Sequence, residues 1–506
     1  MKPAARSAFG SKPAARGAGA RTPVALEVGQ TVGRFEVEKA WLVDPVSGRE
    51  GPGEIVVTDG ILESVVWLKG AEATGVKDDG VVVAPGFFDL HAHFREPGFE
   101  DAETVSSGCA AAAHGGYTSV ALMPNTSPAL DEPGVLERIR SAARAGGSPV
   151  EVLAFGAVSA ARAGEQLSAM GELADAGALG FSDDGAPVRT PKLLRSALLY
   201  AGMLGLPVVD HAEDLELSAG AEANEGYVAS VLGLAGCPTA AEVNAVSRDL
   251  AVLEDALRDE PRARLHLTHV STAAALDLVR RAKAAGLPVT CDVTPHHLAL
   301  ADEWIAGARR WSWEALGAGG VSRDPWADGA LLATPYNTSL RVNPPLRSPV
   351  DAAACLAALL DGTADAVVTD HAPHTVVDKE VEFGRASNGI SGIETALGVL
   401  LALVEAGRLP LARAIGALTT GPAGVASGWP AVAVTAAARP RGLVEGAPAD
   451  LVVFDRADRW RVTPEALRSK GKNSPLLDLE LSGRVLLTIA GGRLAYEDPE
   501  AASAEG

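Results

Sequence analysis

Apolar and polar positions along the chain follow two different rhythms. From about 34 to 84, and again from about 440 onward, short segments such as GEIVVTDG and ADLVVFD are typical of β-strands. Between about 190 and 430, apolar strands alternate with helical stretches such as TAAALDLVRRAKAAG at 272–286. Repeated strand-then-helix units predict a parallel sheet, and this many of them predict an α/β fold with a closed (β/α)8 barrel of the TIM type. The two β-rich ends are predicted to meet in one small composite β-sandwich domain.

These rhythms divide the chain into predicted units. Residues 1–33 are predicted to be a disordered amino-terminal extension. Residues 34–84 and 435–500 together are predicted to form the composite β domain, and residues 85–434 the barrel.

One segment, 301–340, interrupts the barrel rhythm. It holds four of the eight tryptophans of the chain among Gly, Ala and Arg residues. A segment of this length inside a compact domain is typical of a lid, an interface or a family-specific insertion. The simpler alternative is a surface insertion packed on its own tryptophans.

The first 26 residues differ in composition from the rest. They are rich in Ala, Gly, Pro and Arg, repeat KPAAR at 2–6 and 12–16, and contain no acidic residue before Glu27. The composition is conceivable for a transit peptide, but no amphipathic apolar face develops. We therefore expect a disordered extension, or a start codon placed too early.

Composition and charge exclude several classes of function. The 506 residues are 47% hydrophobic, which is enough for a large core, and the net charge of −20 argues against a nucleic-acid partner. No apolar run approaches the length of a membrane span. The four cysteines lie far apart without a CxxC pair, which is typical of reduced thiols in a cytoplasmic protein. A small anionic substrate stays compatible with this charge if local cations meet it.

The sequence PGFFDLHAHFREPG at 85–98 carries the first candidate chemistry. Val81, Val82 and Val83 together with Phe87 and Phe88 predict a buried strand that runs into a loop. Residues two apart in a strand face the same side, so His91 and His93 can meet one metal ion, and imidazole suits zinc. Paired histidines also occur in strands without any ligand role.

Further candidate metal ligands fall at the ends of other predicted barrel strands, where barrel enzymes carry their chemistry. They are Asp183 and Asp184 after ALGFS, His211 after VVD, His269 after LHLT, and Asp370 after AVVT. Four histidines and two carboxylates suffice for two zinc ions with a shared ligand. Taken singly, each strand-end histidine could instead be a hydrogen-bonded core group.

Four motifs give the chain a resemblance to the amidohydrolase superfamily, and within it to the bacterial class I dihydroorotases. HAHFREPG with the following ETVSSGCAAAAHGGYTSVALMPNTSP resembles the first signature of that family. DVTPHHL, NPPLR and TDHAPHT resemble its later signatures. The resemblance covers about 34–500, without the amino-terminal tail and the tryptophan-rich insertion.

The resemblance implies two Zn²⁺ ions per subunit. His91 and His93 would hold the more buried ion with Asp370, and His211 and His269 would hold the second. Many relatives bridge the ions with a carboxylated lysine, but the only lysine between His93 and His211 is Lys192, which follows the SDDG turn. Asp184 matches the bridging aspartate of one dihydroorotase branch, and Asp183 would orient the turn.

The resemblance also implies a set of substrate contacts. Arg95 offers a planar fork suited to the carboxylate of dihydroorotate or carbamoyl aspartate. Beside the metal ligand His93, the remaining implied contacts are Asn125, Asn343, His374, Asn388 and Gly389. His296 and His297 are expected to pack around the metal ligands, and His114 and His266 to be structural.

The implied function is reversible, zinc-dependent cyclic amide hydrolysis between (S)-dihydroorotate and N-carbamoyl-L-aspartate, the third step of pyrimidine biosynthesis. Asp370 would act as general base and acid. The alternatives are another cyclic amidohydrolase of the hydantoinase or allantoinase type, and an inactive homologue that supports aspartate carbamoyltransferase. The implied partners are the small-molecule substrate, aspartate carbamoyltransferase and further copies of the chain in a homo-oligomer, with neither nucleic acid nor membrane. The expected location is cytoplasmic.

Overall fold

The computed structural model describes residues 20–21, 27–427 and 442–500. Most of the extension predicted over 1–33 lies outside the described residues, and so does the predicted domain boundary between 434 and 435. The strands are β1 Ala20–Arg21, β2 Arg34–Asp44, β3 Arg49–Thr58, β4 Ile61–Trp67, β5 Val81–Pro85, β6 Phe87–Ala92, β7 Tyr117–Leu122, β8 Glu151–Ala154, β9 Gly156–Ala157, β10 Phe181–Ser182, β11 Val208–Asp210, β12 Ala223–Asn224, β13 Gly236–Cys237, β14 Leu265–Leu267, β15 Val289–Val293, β16 Ala366–Val367, β17 Leu451–Arg461, β18 Glu480–Ala490 and β19 Arg493–Glu497. The helices are α1 Val105–His114, α2 Pro133–Ala145, α3 Met170–Asp175, α4 Pro191–Leu204, α5 Tyr227–Leu232, α6 Thr239–Ala256, α7 Ala273–Ala284, α8 Pro295–Ala299, α9 Pro349–Asp361, α10 Val376–Lys379, α11 Ala396–Glu405, α12 Leu411–Leu418 and α13 Thr420–Ser427.

Parallel strands form the predicted barrel. One sheet has the order β16-β15-β14-β11-β10-β9 and another the order β6-β7-β8, and the strands in each are parallel. Only Phe155 separates β8 from β9, so these two short strands occupy one position in the wall and the barrel has eight positions. A parallel bridge between Ala92 and His371 closes the ring. The predicted (β/α)8 architecture is confirmed.

The two ends of the chain share a second sheet. Its strand order is β19-β18-β17-β5-β2-β3-β4, so carboxy-terminal strands pair with amino-terminal ones through β17 and β5. Phe35, Ile55 and Val83 from the amino-terminal part form one buried cluster with Leu451 and Ile489 from the carboxy-terminal part. This shared core confirms the composite β domain, while its exact sequence limits remain a prediction.

The apolar run from Val81 to Phe88 differs from the prediction of one strand. It consists of two strands in two different sheets, because β5 belongs to the β domain and β6 begins the barrel. The chain changes sheets at Gly86, where a Cβ atom would lie 2.3 Å from Cγ2 of Thr118. Glycine permits this close approach of backbone to a neighbouring strand.

The 301–340 segment packs partly on its own aromatic residues and partly on residues outside it, and its role stays a prediction. Trp304 is buried, and the rings of Trp311 and Trp313 stack with centroids 5.4 Å apart. Trp326 reaches outward to Tyr227, with centroids 5.3 Å apart. In the part of the chain that the structure describes, no helix is long and apolar enough to cross a membrane.

Candidate metal centre and substrate pocket

The candidate ligands lie together at the carboxyl ends of the barrel strands. His91 is in β6 and His93 follows it, while each of the other candidates lies one to three residues after the end of its strand. Parallel strands share one direction, so these ends meet at the same mouth of the barrel. His269 and Asp370 have φ angles of 42° and 46°, in the left-handed region that non-glycine residues seldom adopt. Such a conformation at a functional site is held by the surrounding structure.

One group of donor atoms consists of His91, His93 and Asp370. Nε2 of His93 lies 3.2 Å from Nε2 of His91 and 3.1 Å from Oδ1 of Asp370. Nε2 of His91 lies 3.5 Å from the same carboxylate oxygen. All three residues are buried.

A second group contains His211, His269 and Asp184. Nδ1 of His211 lies 3.0 Å from Nε2 of His269, which in turn lies 3.3 Å from Oδ1 of Asp184. The other oxygen of Asp184, Oδ2, lies 3.2 Å from Nε2 of His91. One carboxylate therefore turns one oxygen toward each group of histidines, which is the arrangement that a bridging ligand needs.

The outer nitrogens of three rings indicate how the inner nitrogens are protonated. Nδ1 of His93 faces Oδ1 of Asn125 at 2.9 Å, and Nε2 of His211 faces Oε2 of Glu213 at 2.9 Å. Nδ1 of His91 faces the Thr268 hydroxyl at 2.6 Å. An amide or carboxylate oxygen only accepts, so the outer nitrogen donates and a neutral ring turns its lone pair inward.

Lone pairs that converge at about 3 Å repel each other unless a cation lies among them. The donor set, four imidazoles and two carboxylates, suits divalent ions such as zinc. In addition, oxygen acceptors behind metal-binding histidines are the usual means of fixing the ring tautomer. These residues therefore fit two metal ions.

The charges within the cluster compensate one another. Burial disfavours a charged ring, but Asp184 and then Asp370 raise the pKa of His91 to about 9. Burial likewise opposes charge on His211, and Asp184 and Glu213 raise the pKa of that ring to about 10. Burial opposes ionisation of Asp184 too, yet the histidines hold its pKa well below the usual range. Since cations stabilise this buried carboxylate, metal ions and protons would compete for the same positions.

Two acidic residues behind the cluster were missed by the sequence analysis. Glu213 orients His211, as described above. Asp292 accepts from the backbone N–H of His269 at 2.5 Å and from Nε2 of His266 at 2.8 Å. Both carry a signal in the sequence, because Glu213 stands two residues after His211 and Asp292 stands near the end of β15.

A cavity of about 170 Å³ opens over the donor cluster. It is lined by the predicted substrate residues together with metal-ligand candidates: His93, Arg95, Asn125, Asp184, Gly185, His211, His269, Asn343, Asp370, Ala372, His374, Asn388 and Gly389. The cavity brings all the predicted substrate contacts to one place.

Arg95 lies at the wall of this cavity. Among the described residues, no carboxylate forms an ion pair with its guanidinium. Its Nε donates to the backbone oxygen of Pro373 at 3.0 Å, and NH2 lies 3.3 Å from Nε2 of His374. Burial lowers the pKa of Arg95 to about 10, so the guanidinium stays charged at neutral pH. Burial and the nearby Arg95 lower the pKa of His374 to about 3, so that ring is neutral.

The remaining predicted contacts are already engaged within the protein. Nε2 of His374 lies 2.7 Å from the backbone oxygen of Asn388, and Nδ2 of Asn343 donates to Glu213 at 2.9 Å. The backbone N–H of Gly389 donates to the Arg341 oxygen at 2.9 Å. A ring amide bound here would share or replace these hydrogen bonds.

His114 and His266, which were predicted to be structural, have side-chain partners, and His297, which was predicted to pack around the metal ligands, contacts a backbone oxygen. His114 pairs with Glu394 at 2.6 Å, and His266 lies between Thr290 and Asp292. His297 contacts the Pro344 oxygen at 3.2 Å.

Asp183 turns away from the donor cluster. It accepts from the backbone N–H of Ser159 at 2.9 Å and also from the Ser159 hydroxyl. Those bonds fix the turn that carries Asp184, as the sequence predicted.

Comparison with known proteins gives a consistent set of relatives. A family model described as "Dihydro-orotase-like" matches residues 80–273. A dihydroorotase of Anaeromyxobacter dehalogenans is 43% identical over 92% of this chain and 98% of its own length. A dihydroorotase of Pelotomaculum thermopropionicum is 41% identical over 90% of this chain and 97% of its own length. Among solved structures, the L-hydantoinase of Arthrobacter aurescens superposes with a TM-score of 0.70 at 23% identity, covering 91% of this chain and 95% of its own, and this likeness concerns the fold.

Proposed function

The chain belongs to the dihydroorotase family, and from that premise we propose that it interconverts (S)-dihydroorotate and N-carbamoyl-L-aspartate in pyrimidine biosynthesis. The observation that carries the proposal is the half-buried Arg95 beside a cluster of four histidines and two aspartates. A charged guanidinium recognises a carboxylate, and the cluster supplies the means to hydrolyse a cyclic amide.

We infer that His91, His93 and Asp370 hold one zinc ion and that His211 and His269 hold the other. Asp184 would serve both, because its two oxygens face the two groups. When bound, the metal ions supply Lewis-acid chemistry, which polarises an amide carbonyl and lowers the pKa of water.

Asp370 is the group that we propose moves the proton. Burial would raise the pKa of its carboxyl, but His93, His91 and His269 hold that pKa below the usual range, so the carboxylate is ionised. It lines the cavity and can accept a proton from the attacking water, then deliver it to the leaving ring nitrogen. In the direction of ring closure the same oxygen would take the proton from the carbamoyl nitrogen.

The substrate carboxylate is proposed to bind at Arg95. The Nε bond to Pro373 fixes the plane of the guanidinium, which leaves its other N–H groups for a fork-shaped contact. Asn125 and His374 also line the cavity and are proposed to contact the carboxylate, and Asn343 with Asn388 and Gly389 would contact the ring amides. Carbamoyl aspartate carries a second carboxylate, which forms from the ring carbonyl that faces the metal cluster.

Two rival functions receive less support. A hydantoinase-like enzyme would share the barrel and the metals, but it would normally use a bridging lysine, which is missing here, and would lack an arginine for a substrate carboxylate. An inactive homologue would have lost metal ligands, whereas all six predicted ligands are present and converge. Association with aspartate carbamoyltransferase and formation of a homo-oligomer remain expectations from the family.

The decisive experiment compares the activity of the purified protein on several cyclic amides after its zinc content has been measured. Purified protein with zinc should hydrolyse dihydroorotate and form it from carbamoyl aspartate, and should leave hydantoin and allantoin unchanged. Arg95→Ala should lose activity while keeping its zinc. Turnover of hydantoin instead of dihydroorotate would overturn the substrate assignment, and a zinc-loaded protein without activity on any of these compounds would overturn the enzyme proposal.

A further inference from the structure

A carboxy-terminal segment, residues 468–474, reaches the mouth of the barrel although it lies between β17 and β18 in sequence. Glu394 holds it by accepting from the backbone N–H groups of Arg468 at 2.6 Å and Ser469 at 3.1 Å. Glu103 accepts from the Ser469 hydroxyl as well. The segment is therefore fixed to the barrel by two carboxylates.

Asn473 is the residue of this segment that turns toward the substrate pocket. Its side-chain oxygen accepts from the backbone N–H of His374 at 2.9 Å and from the Ser391 hydroxyl at 3.0 Å. Its side-chain nitrogen donates to the backbone oxygens of Ala372 at 3.1 Å and Gly389 at 2.9 Å. The side chain is only 5% exposed, and its hydrogen bonds join it to two loops, one at residues 372–374 and the other at residues 388–391.

The two loops carry one wall of the cavity. Ala372 and His374 enclose Pro373, whose backbone oxygen accepts from Nε of Arg95 at 3.0 Å. Gly389 follows Asn388, whose backbone oxygen lies 2.7 Å from His374. The position of the Pro373 carbonyl, and with it the plane of the guanidinium, depends on the hydrogen bonds on both sides of it.

The fit between the segment and this loop is close. At Gly471 a Cβ atom would lie 2.5 Å from Cβ of Pro373 and 2.8 Å from the backbone nitrogen of His374. A larger residue at 471 would push the loop away, so the backbone of the segment acts as a surface against which the loop rests.

We propose that Asn473 is a positioning residue for the carboxylate-binding wall, acting on Arg95 through Pro373. This inference rests on the proposed function, since it assigns Arg95 to the substrate carboxylate. Asn473 does not line the cavity, so it acts through the loops and not by touching substrate.

The experiment measures steady-state kinetics in both directions for the full-length, zinc-loaded protein, with Asn473→Ala and Asn473→Asp. Asn473→Asp keeps the acceptor for His374 and Ser391 but replaces the amide nitrogen by a carboxylate oxygen that faces two backbone carbonyls. This variant is the second test of the proposal if the alanine variant folds poorly. We expect kcat/KM to fall about 10²-fold, as a misplacement of about 1 Å can cause, with KM carrying most of the change and zinc content unaltered.

A double-mutant cycle with Arg95→Lys separates positioning from a general loss of structure. If Asn473 acts through Arg95, the two substitutions should be clearly non-additive in kcat/KM. The control is Thr488→Val, which removes a buried hydrogen bond to Ala113 of 2.7 Å far from the cavity and should leave KM unchanged.

Additive effects, or a folded Asn473 variant with wild-type KM, would overturn the inference while wild-type turnover upholds the proposed function. A wild-type protein that fails to turn over either substrate would overturn both.

Discussion

Replacing Asp370 with Asn tests the proposed proton carrier with little change in shape. Asp370 has a φ of 46°, and asparagine is among the residues that accept the left-handed region most readily. The substitution therefore keeps the size and the backbone conformation but removes the negative charge and most of the basicity. Oδ1 of Asp370 lies 3.1 Å from Nε2 of His93, so removing the charge changes the electrostatic environment of the neighbouring histidines.

The expected loss of rate follows from the role of the carboxylate. A positioned general acid or base contributes about 10²- to 10⁴-fold, which corresponds to about 3–5 kcal/mol of activation free energy. We expect Asp370→Asn to lower kcat by at least that factor for dihydroorotate hydrolysis and for ring closure. The assay follows both directions by absorbance, with zinc content and thermal stability measured on the same samples.

A matched control is available at Asp478, which has a φ of 68° and does not line the cavity. Asp478→Asn makes the same chemical change in the same backbone conformation, so it should keep wild-type activity. If zinc-loaded Asp370→Asn retains a rate within tenfold of the wild type, the assignment of Asp370 as base is wrong. If the variant loses zinc and activity together, zinc reloading should restore the metal without the rate.

Three further outcomes follow from the geometry. Arg95→Lys replaces a fork with a point charge and removes the Nε bond to Pro373, so KM should rise about 10- to 10³-fold with a smaller change in kcat, as measured by steady-state kinetics. Asp184→Ala removes the carboxylate whose oxygens face both histidine groups, so zinc content by mass spectrometry should fall from two ions toward one per chain. Burial first, then Arg341 and Arg95, lower the pKa of Lys379 from 10.5 to about 7, whereas the unfolded chain keeps that proton to about pH 10. The unfolding free energy should therefore rise with pH between about 7 and 10, by up to about 1.4 kcal/mol per unit, and Lys379→Met should flatten this slope in denaturant titrations; an unchanged slope would contradict the assignment.

The convergence of the candidate metal ligands could be predicted from the sequence because a barrel imposes its own geometry. Once parallel strands are recognised, the residues that follow them must meet at one mouth, however far apart they lie along the chain. His91, His269 and Asp370 lie at the ends of three different strands, and their positions at strand ends were enough to predict that they lie close together. The family resemblance added the choice of Asp184 over Asp183, which the distances to both histidine groups agree with.

The supporting residues could not be predicted in the same way. Asn473 hydrogen-bonds to backbone groups of Ala372 and Gly389, and a backbone carbonyl leaves no signature in the sequence that would attract a partner. The split at Gly86 was missed for a related reason. An apolar run has the same pattern whether it forms one buried strand or two, and only the pairing of β5 and β6 in different sheets shows where the chain changes sheets.

The charge distribution explains how an acidic protein can bind an anionic substrate. The chain carries a net charge of −20, and at the cavity Asp184, Asp370 and the adjoining Glu213 stand against a single guanidinium, that of Arg95. When the histidine rings are neutral, as metal ligands are, the protein groups of this cavity carry a net negative charge and would by themselves repel a dicarboxylate such as carbamoyl aspartate. Two divalent ions in the proposed positions would reverse the sign of the local charge, because their four positive charges outweigh the three carboxylates, and Arg95 would then fix the orientation of the substrate. On this proposal the arginine would determine which anion binds and in which direction, while the metal ions would make the binding of an anion favourable at all.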